Sequence, residues 1–220
     1  MNTVIFDMDG TLIDSEPWWK QAELGIYAEV GVPLTLDRVD ETTGMRLDAA
    51  VEHWYERYPW KGVSKQEIAH RIKVRVQELV HRHGVPIKGA VELARSLSAA
   101  GVELAICSSS AYFLIEAVCD QLGIRSLFSV LQSAEDCIHG KPHPEPYLLT
   151  AQRLGVQPED CLAIEDSIIG MTAAARAGMV VVGMPTAAQK SQAAGLCTIV
   201  CADLTELSAE QILRLKGRLL

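Results

Sequence analysis

Apolar residues fall in short blocks along the chain, and the blocks read as strands. TVIF at 3–6, VELAIC at 102–107, CLAI at 161–164, VVV at 180–182 and CTIV at 197–200 are each bounded by polar or turn-forming residues. Runs of this length suit strands buried on both faces. Between them the apolar spacing becomes helical, over 89–100, 111–122, 144–154 and 168–177. The alternation predicts an α/β fold with a Rossmann-like parallel sheet and helices on both faces.

The stretch 15–84 breaks the alternation and reads as several helices with no strand between them. Ser15, Glu16 and Pro17 predict a helix start, with Ser15 as N-cap and Pro17 in the first turn. Ser64 with Glu67 predicts a capping box for a helix running to about His83. All four tryptophans (Trp18, Trp19, Trp54, Trp60) lie in this insert. Aromatics at such spacing predict a small core, with Trp19 as the candidate for ligand contact. The expected organisation is a sheet domain of residues 1–14 and 85–220, interrupted by a helical unit at 15–84.

Composition adds limits. With 49% hydrophobic and 22% charged residues the chain has the makings of a soluble globular core. A net charge of −8 argues against a non-specific nucleic-acid binder, which needs a basic footprint. The insert is nearly neutral, with ten Lys/Arg against eleven Asp/Glu, so most of the excess acid belongs to the sheet domain. The six cysteines form no CxxC pair and read as buried reduced thiols. With no signal-peptide pattern and no apolar run of spanning length, the expected location is a reducing cytoplasm, away from membranes.

In an open parallel sheet, ligands bind beyond the carboxyl ends of the strands. There the first strand delivers Asp7 and then Asp9. The 102–107 run ends in Ser108, Ser109 and Ser110, and the 161–164 run in Glu165 and Asp166. A loop carries HGKPHPEPY, with Lys141 just before a helix that starts near Pro144. Four carboxylates in one pocket are costly: two like charges 4 Å apart repel by roughly 4 kcal/mol at an effective dielectric near 20. An all-oxygen donor set with open positions suits Mg²⁺ working beside a substrate phosphate. The serines precede a helix, so hydroxyls and backbone N–H groups converge on one spot, as anion binding requires, and Ser109 and Ser110 are expected to cap that helix. An ionised Asp7 suits a nucleophile that passes through an aspartyl-phosphate. Asp9 suits a proton donor and acceptor.

Together DMDGT (7–11), Ser108, Lys141 within GKPHPEPY and IEDS (164–167) resemble the four motifs of the haloacid dehalogenase superfamily, in order and over the whole chain. DSEPWW (14–19), TGMRLDAAVEHWY (43–55) and PWKGVSKQEI (59–68) look most like bacterial sugar phosphatases of the 2-deoxyglucose-6-phosphate or hexitol phosphate type. The resemblance implies Asp7 as nucleophile and Mg²⁺ ligand, and Asp9 as general acid/base and ligand through its backbone carbonyl. It implies Ser108 and Lys141 as phosphoryl holders, Ser109 beside them through its N–H, and Asp166 as a metal ligand with Glu165 close by. It also implies a mobile α-helical cap at 15–84, with Arg46 and Glu16 facing the substrate or serving only the helix ends. The partner is then a small phosphorylated metabolite, and the protein a monomer or weak dimer.

Departures from the family sharpen the expectation. Asp9 is the acid that dehalogenating and phosphonate-cleaving members lack. Trp19 stands where β-phosphoglucomutase relatives carry a histidine, which sets the mutase reading second. A receiver domain also uses a strand-end Asp, a Ser/Thr and a Lys, but has no room for residues 15–84. A phospho-ligand binding protein without turnover would not need Asp7 and Asp9. His139 and His143 flank Lys141 and are expected to pack the loop.

Overall fold

The computed structural model describes residues 2–42 and 45–215. In chain order the elements are β1 (Thr3–Phe6), α1 (Glu16–Glu29), α2 (Leu36–Val39), α3 (Leu47–Arg57) and α4 (Lys65–His83). There follow α5 (Ala90–Ala99), β2 (Glu103–Ser108), α6 (Tyr112–Leu122), β3 (Val130–Ser133), α7 (Glu145–Leu154) and β4 (Cys161–Glu165). The chain continues through α8 (Ile168–Arg176), β5 (Val180–Gly183), α9 (Lys190–Ala193), β6 (Ile199–Val200) and α10 (Ala209–Leu215).

The six strands form one parallel sheet in the order β3-β2-β1-β4-β5-β6. β1 lies in the middle, with Val4 opposite both Leu104 and Leu162. The two-residue period of a strand sorts its side chains between two cores. Val4, Phe6, Leu104, Ile106 and Ile164 pack with Leu97 of α5, Ile115 of α6 and Ile212 of α10. Ile5, Ala105, Cys107 and Ala163 pack with Tyr147 of α7 and with Met171 and Ala174 of α8. Helices therefore cover both faces, and the strands read as unbroken apolar runs for that reason.

The structure adds one strand to the sequence reading and trims another. β3 holds only two apolar residues, and its polar Gln132 is fully buried, with Nε2 donating to the Ser133 carbonyl at 2.6 Å. β6 keeps two of the four residues expected at 197–200.

The insert α1–α4 contains no strand among the described residues. Its helices pack around Ile26, Tyr27, Val51, Trp54, Ile68, Ile72 and Val76. Ser64 caps α4 as expected, accepting from the Glu67 N–H at 3.1 Å. The reciprocal half of the box is absent, because the Glu67 carboxylate takes the Arg71 guanidinium at 2.8 Å. Ser15 stands at the N-cap of α1 without capping it; its hydroxyl has a different partner, described below. Ser109 and Ser110 do not cap α6 either, whose N-cap is Ala111. Thr43 and Gly44 of the TGMRL segment lie outside the described residues.

The cysteines are free, and all but Cys197 are buried. Burial pushes the thiols of Cys107, Cys119 and Cys161 up to about 12. No helix among the described residues is long and apolar enough to cross a membrane.

Candidate active site

Strand order reverses around β1, since the chain steps outward through β2 and β3 and returns to β4 on the other side. That reversal opens a crevice at the carboxyl ends of β1 and β4. Asp7 leaves β1 there, with its N–H on the Ile164 carbonyl at 2.9 Å. The chain then turns sharply, and the Met8 carbonyl accepts from the N–H groups of Thr11, Leu12 and Ile13. Gly10 sits in this turn with φ of 78°, and a Cβ there would lie 2.1 Å from Asp166 Oδ2. Only glycine tolerates both the left-handed backbone and the approach of that carboxylate.

Lys141 is the hub of the crevice. Its side chain is 4% exposed, and Nζ donates to Asp7 Oδ1 at 2.7 Å, Glu165 Oε1 at 2.6 Å and the Cys107 carbonyl at 2.9 Å. These three acceptors use all three of its N–H bonds. Burial works against the ammonium, yet Asp7 and Glu165 hold it well above the usual lysine range. Glu165 is fully buried. It also accepts from the Tyr147 hydroxyl at 2.6 Å and, on Oε2, from Ser167 at 3.2 Å.

Carboxylate oxygens of Asp7, Glu165 and Asp166 lie within 4.8 Å of one another. Burial pushes Asp7 well above the usual carboxylate range; Lys141 opposes the rise, and Glu165, Asp166 and Asp9 add to it. Burial and the Glu165 charge push Asp166 up to about 8. One ammonium does not balance this group, and the donors are all hard oxygens. A hard divalent cation fits both facts.

Asp9 is surrounded by donors. Ser15 Oγ and Trp19 Nε1 donate to its Oδ1 at 2.5 and 2.9 Å. Ser110 Oγ donates to Oδ2 at 2.8 Å, with Ser108 Oγ more distant at 3.5 Å. Ser15 and Trp19 come from the insert and Ser110 from the sheet domain, so this carboxylate joins the two parts. Sequence reasoning assigned Ser15 and Ser110 to helix capping and Trp19 to a possible ligand face. The hydroxyl cluster at 108–110 was the legible signal, but not its partner.

A cavity of about 390 Å³ lies between the sheet domain and the insert. Asp7, Asp9, Ser109, Lys141 and Asp166 line one side; Glu16, Trp19 and Arg46 line the other. Ser108 is 1% exposed and does not line it. Ser108 Oγ accepts the Ser110 N–H at 3.0 Å. Arg46 pairs with Asp48 through Nε at 2.9 Å and donates from Nη1 to the Cys137 carbonyl at 3.2 Å. Glu16 pairs with Lys20 at 2.9 Å. The His139 and His143 rings lie 4.6 Å apart, and neither lines the cavity. Glu23 also lines it, a residue that sequence reasoning passed over. Its signal was an acid inside the buried stripe Ala22, Glu23, Ile26, Tyr27 of α1.

Residues 1–178 match the family described as haloacid dehalogenase-like hydrolase. Hexitol phosphatase B of Escherichia coli (strain K12) is 40% identical over 212 residues, 95% of this chain and 95% of that protein. The crystal structure of CbbY from Rhodobacter sphaeroides in complex with phosphate superposes with a TM-score of 0.87 at 23% identity, covering 94% of this chain and 96% of that one. β-Phosphoglucomutase from Clostridium difficile superposes with a TM-score of 0.86 at 22% identity, covering 100% and 98%. These two structural likenesses are of fold.

Proposed function

Because the chain belongs to the haloacid dehalogenase-like hydrolase family and is a phosphoric monoester hydrolase, we propose that it hydrolyses small phosphorylated hexoses, deoxyhexoses or hexitols in the cytoplasm through an aspartyl-phosphate. The observation that carries this reading is Asp7: a strand-end carboxylate facing the cavity, held by Lys141 at 2.7 Å and placed beside Asp9.

Asp7 attacks phosphorus in line. Its bond to phosphorus forms as the bond to the sugar oxygen breaks, and Asp9 gives that oxygen a proton. Water then attacks the aspartyl-phosphate, Asp9 takes the water proton, and the Asp7–phosphorus bond breaks to release inorganic phosphate. Lys141, exchanging one of its three present acceptors for phosphate, and the Ser109 N–H hold the phosphoryl oxygens, while Ser108 supports that turn by accepting the Ser110 N–H. Glu165 anchors Lys141 against the strand ends. Mg²⁺, held by Asp7, Asp166 and the Asp9 backbone carbonyl with Glu165 close by, supplies neutralising charge when bound. Residues 15–84 act as the cap, whose closure excludes bulk water from the cavity.

The test is release of phosphate from a panel of phosphorylated metabolites, with and without Mg²⁺. Asp7→Asn is expected to abolish turnover and leave the fold intact; turnover near the parent rate removes Asp7 as nucleophile. Product analysis separates hydrolysis from the mutase alternative, which keeps phosphate on the sugar.

A further inference from the structure

Ser15, Trp19, Glu23 and Tyr27 are spaced four apart and share one face of α1. The first two reach Asp9. Glu23 lies one turn beyond Trp19, about 6 Å further along the helix axis. It is 8% exposed and lines the same cavity. Its Oε2 is buried with no hydrogen-bond partner, and so is the Tyr27 hydroxyl one turn further on. Leaving a buried carboxyl unpartnered costs free energy, so its presence on an apolar stripe asks for a ligand group that completes it.

The cations around the cavity indicate which group that is. Lys20 is paired with Glu16 and Asp40 at 2.9 and 2.7 Å. Lys73 is paired with Glu135 at 3.1 Å, and Arg46 with Asp48 at 2.5 Å. Lys141 is committed to Asp7 and Glu165. Among the described residues, the cavity around Glu23 thus offers an idle acceptor and no idle cation. It suits donors without charge, and it repels a second anion on the substrate.

We infer that Glu23 selects the leaving group: its carboxyl accepts hydrogen bonds from the hydroxyls of an uncharged polyol tail. The substrates are then monophosphates of neutral polyols, and bisphosphates and phosphorylated acids are excluded. This rests on the phosphatase reading above. Burial alone pushes Glu23 up to about 7, in keeping with a site that no cation balances.

The experiment compares Glu23→Leu and Glu23→Gln in the full chain. Calorimetry in the Asp7→Asn background measures the Kd of a hexitol monophosphate and of phosphoglycolate. Phosphate release by the chain with intact Asp7 measures turnover. Glu23→Leu is expected to weaken the hexitol phosphate by about tenfold or more, the worth of hydrogen bonds to a charged acceptor. Phosphoglycolate should gain relative to it, and Glu23→Gln should keep part of the hexitol affinity. At pH 8, where the folded Glu23 carboxyl is ionised, both variants should melt no lower than the parent, since each removes a buried unpaired carboxylate. An unchanged hexitol phosphate Kd in Glu23→Leu overturns the assignment, as does a drop in Tm of both variants. Glu23-dependent binding without phosphate release overturns the phosphatase reading alone. Phosphate release with no Glu23 dependence overturns the subsite alone. Failure of both esters to bind, with no phosphate release, overturns both.

Discussion

Single residues set the tolerances of this site, and glycine shows it best. A Cβ at position 170 would lie 2.0–2.1 Å from the carboxylate atoms of Glu165. Gly170→Ala must therefore displace the acid that holds Lys141 at 2.6 Å. The expected loss is about 1–3 kcal/mol of stability, typical of overpacking, with kcat down by more than tenfold as the ammonium shifts. At Gly25 no atom lies within 4 Å, so Gly25→Ala serves as the control and should melt no lower than the parent. Paired melting curves and phosphate-release rates check both; a Gly170→Ala enzyme at the parent rate removes the positional role of Glu165. Asp7 and Asp9 were legible in the sequence because strand ends are where a parallel sheet exposes polar groups. Glu23 was not, because one acid in a helical stripe looks like a surface charge until its neighbours are seen to be buried. The partners of Ser15 and Ser110 were hidden for a related reason. A hydroxyl beside a helix start satisfies a local rule, and only the fold brings in a carboxylate from another segment.

At the scale of elements, α1 carries a measurable cost in its buried face. The Glu23 carboxyl moves from its ordinary 4.5 up to about 7 on folding, through burial. The folded chain keeps a proton there that the unfolded chain releases between those two values. Its contribution to stability is complete below pH 4.5 and is lost as pH rises through 7. The unfolding free energy of the parent, measured against Glu23→Gln, should fall by roughly 2 kcal/mol between pH 5 and pH 8. Denaturant titrations at the two pH values check this, and a pH-independent difference would refute it. Elements also divide the sequence reading into what was readable and what was not. β1, β2, β4 and β5 announced themselves because burial on both faces demands apolar side chains throughout. β3 sits at the sheet edge and spends two of its four positions on Gln132 and Ser133, so no apolar run marked it. β6 was read as four residues and pairs over only two, too few for a pattern to set its bounds.

At the scale of the whole molecule, the insert rests on the sheet domain partly through polar contacts. Lys73 of α4 meets Glu135 at 3.1 Å, and Arg46 reaches the Cys137 carbonyl at 3.2 Å. Half-exposed pairs of this kind are worth at most about 1 kcal/mol each. They contribute little to global stability and, on the proposed function, would bias the opening of the cap. Lys73→Met is expected to leave Tm close to the parent value and to raise KM by about fivefold or less, by a similar factor for every substrate. Steady-state kinetics on several phosphate esters checks the uniformity. An effect confined to one ester would place Lys73 on that ester instead of on closure. The break in the strand–helix alternation at residue 15 was legible, and α1–α4 follow β1 with no strand between them among the described residues. The way the parts meet was not, since it depends on side chains far apart in sequence.

The stripe on α1 has a geometric corollary. One rigid rod touches Asp9 with Trp19 and lines the chamber with Glu23 one turn further on, so the two contacts cannot be adjusted separately. On the proposed function the helix would act as a gauge of length. An ester whose tail is too long pushes the rod and loosens the indole from Asp9, so misfit registers as slower turnover more than as weaker grip.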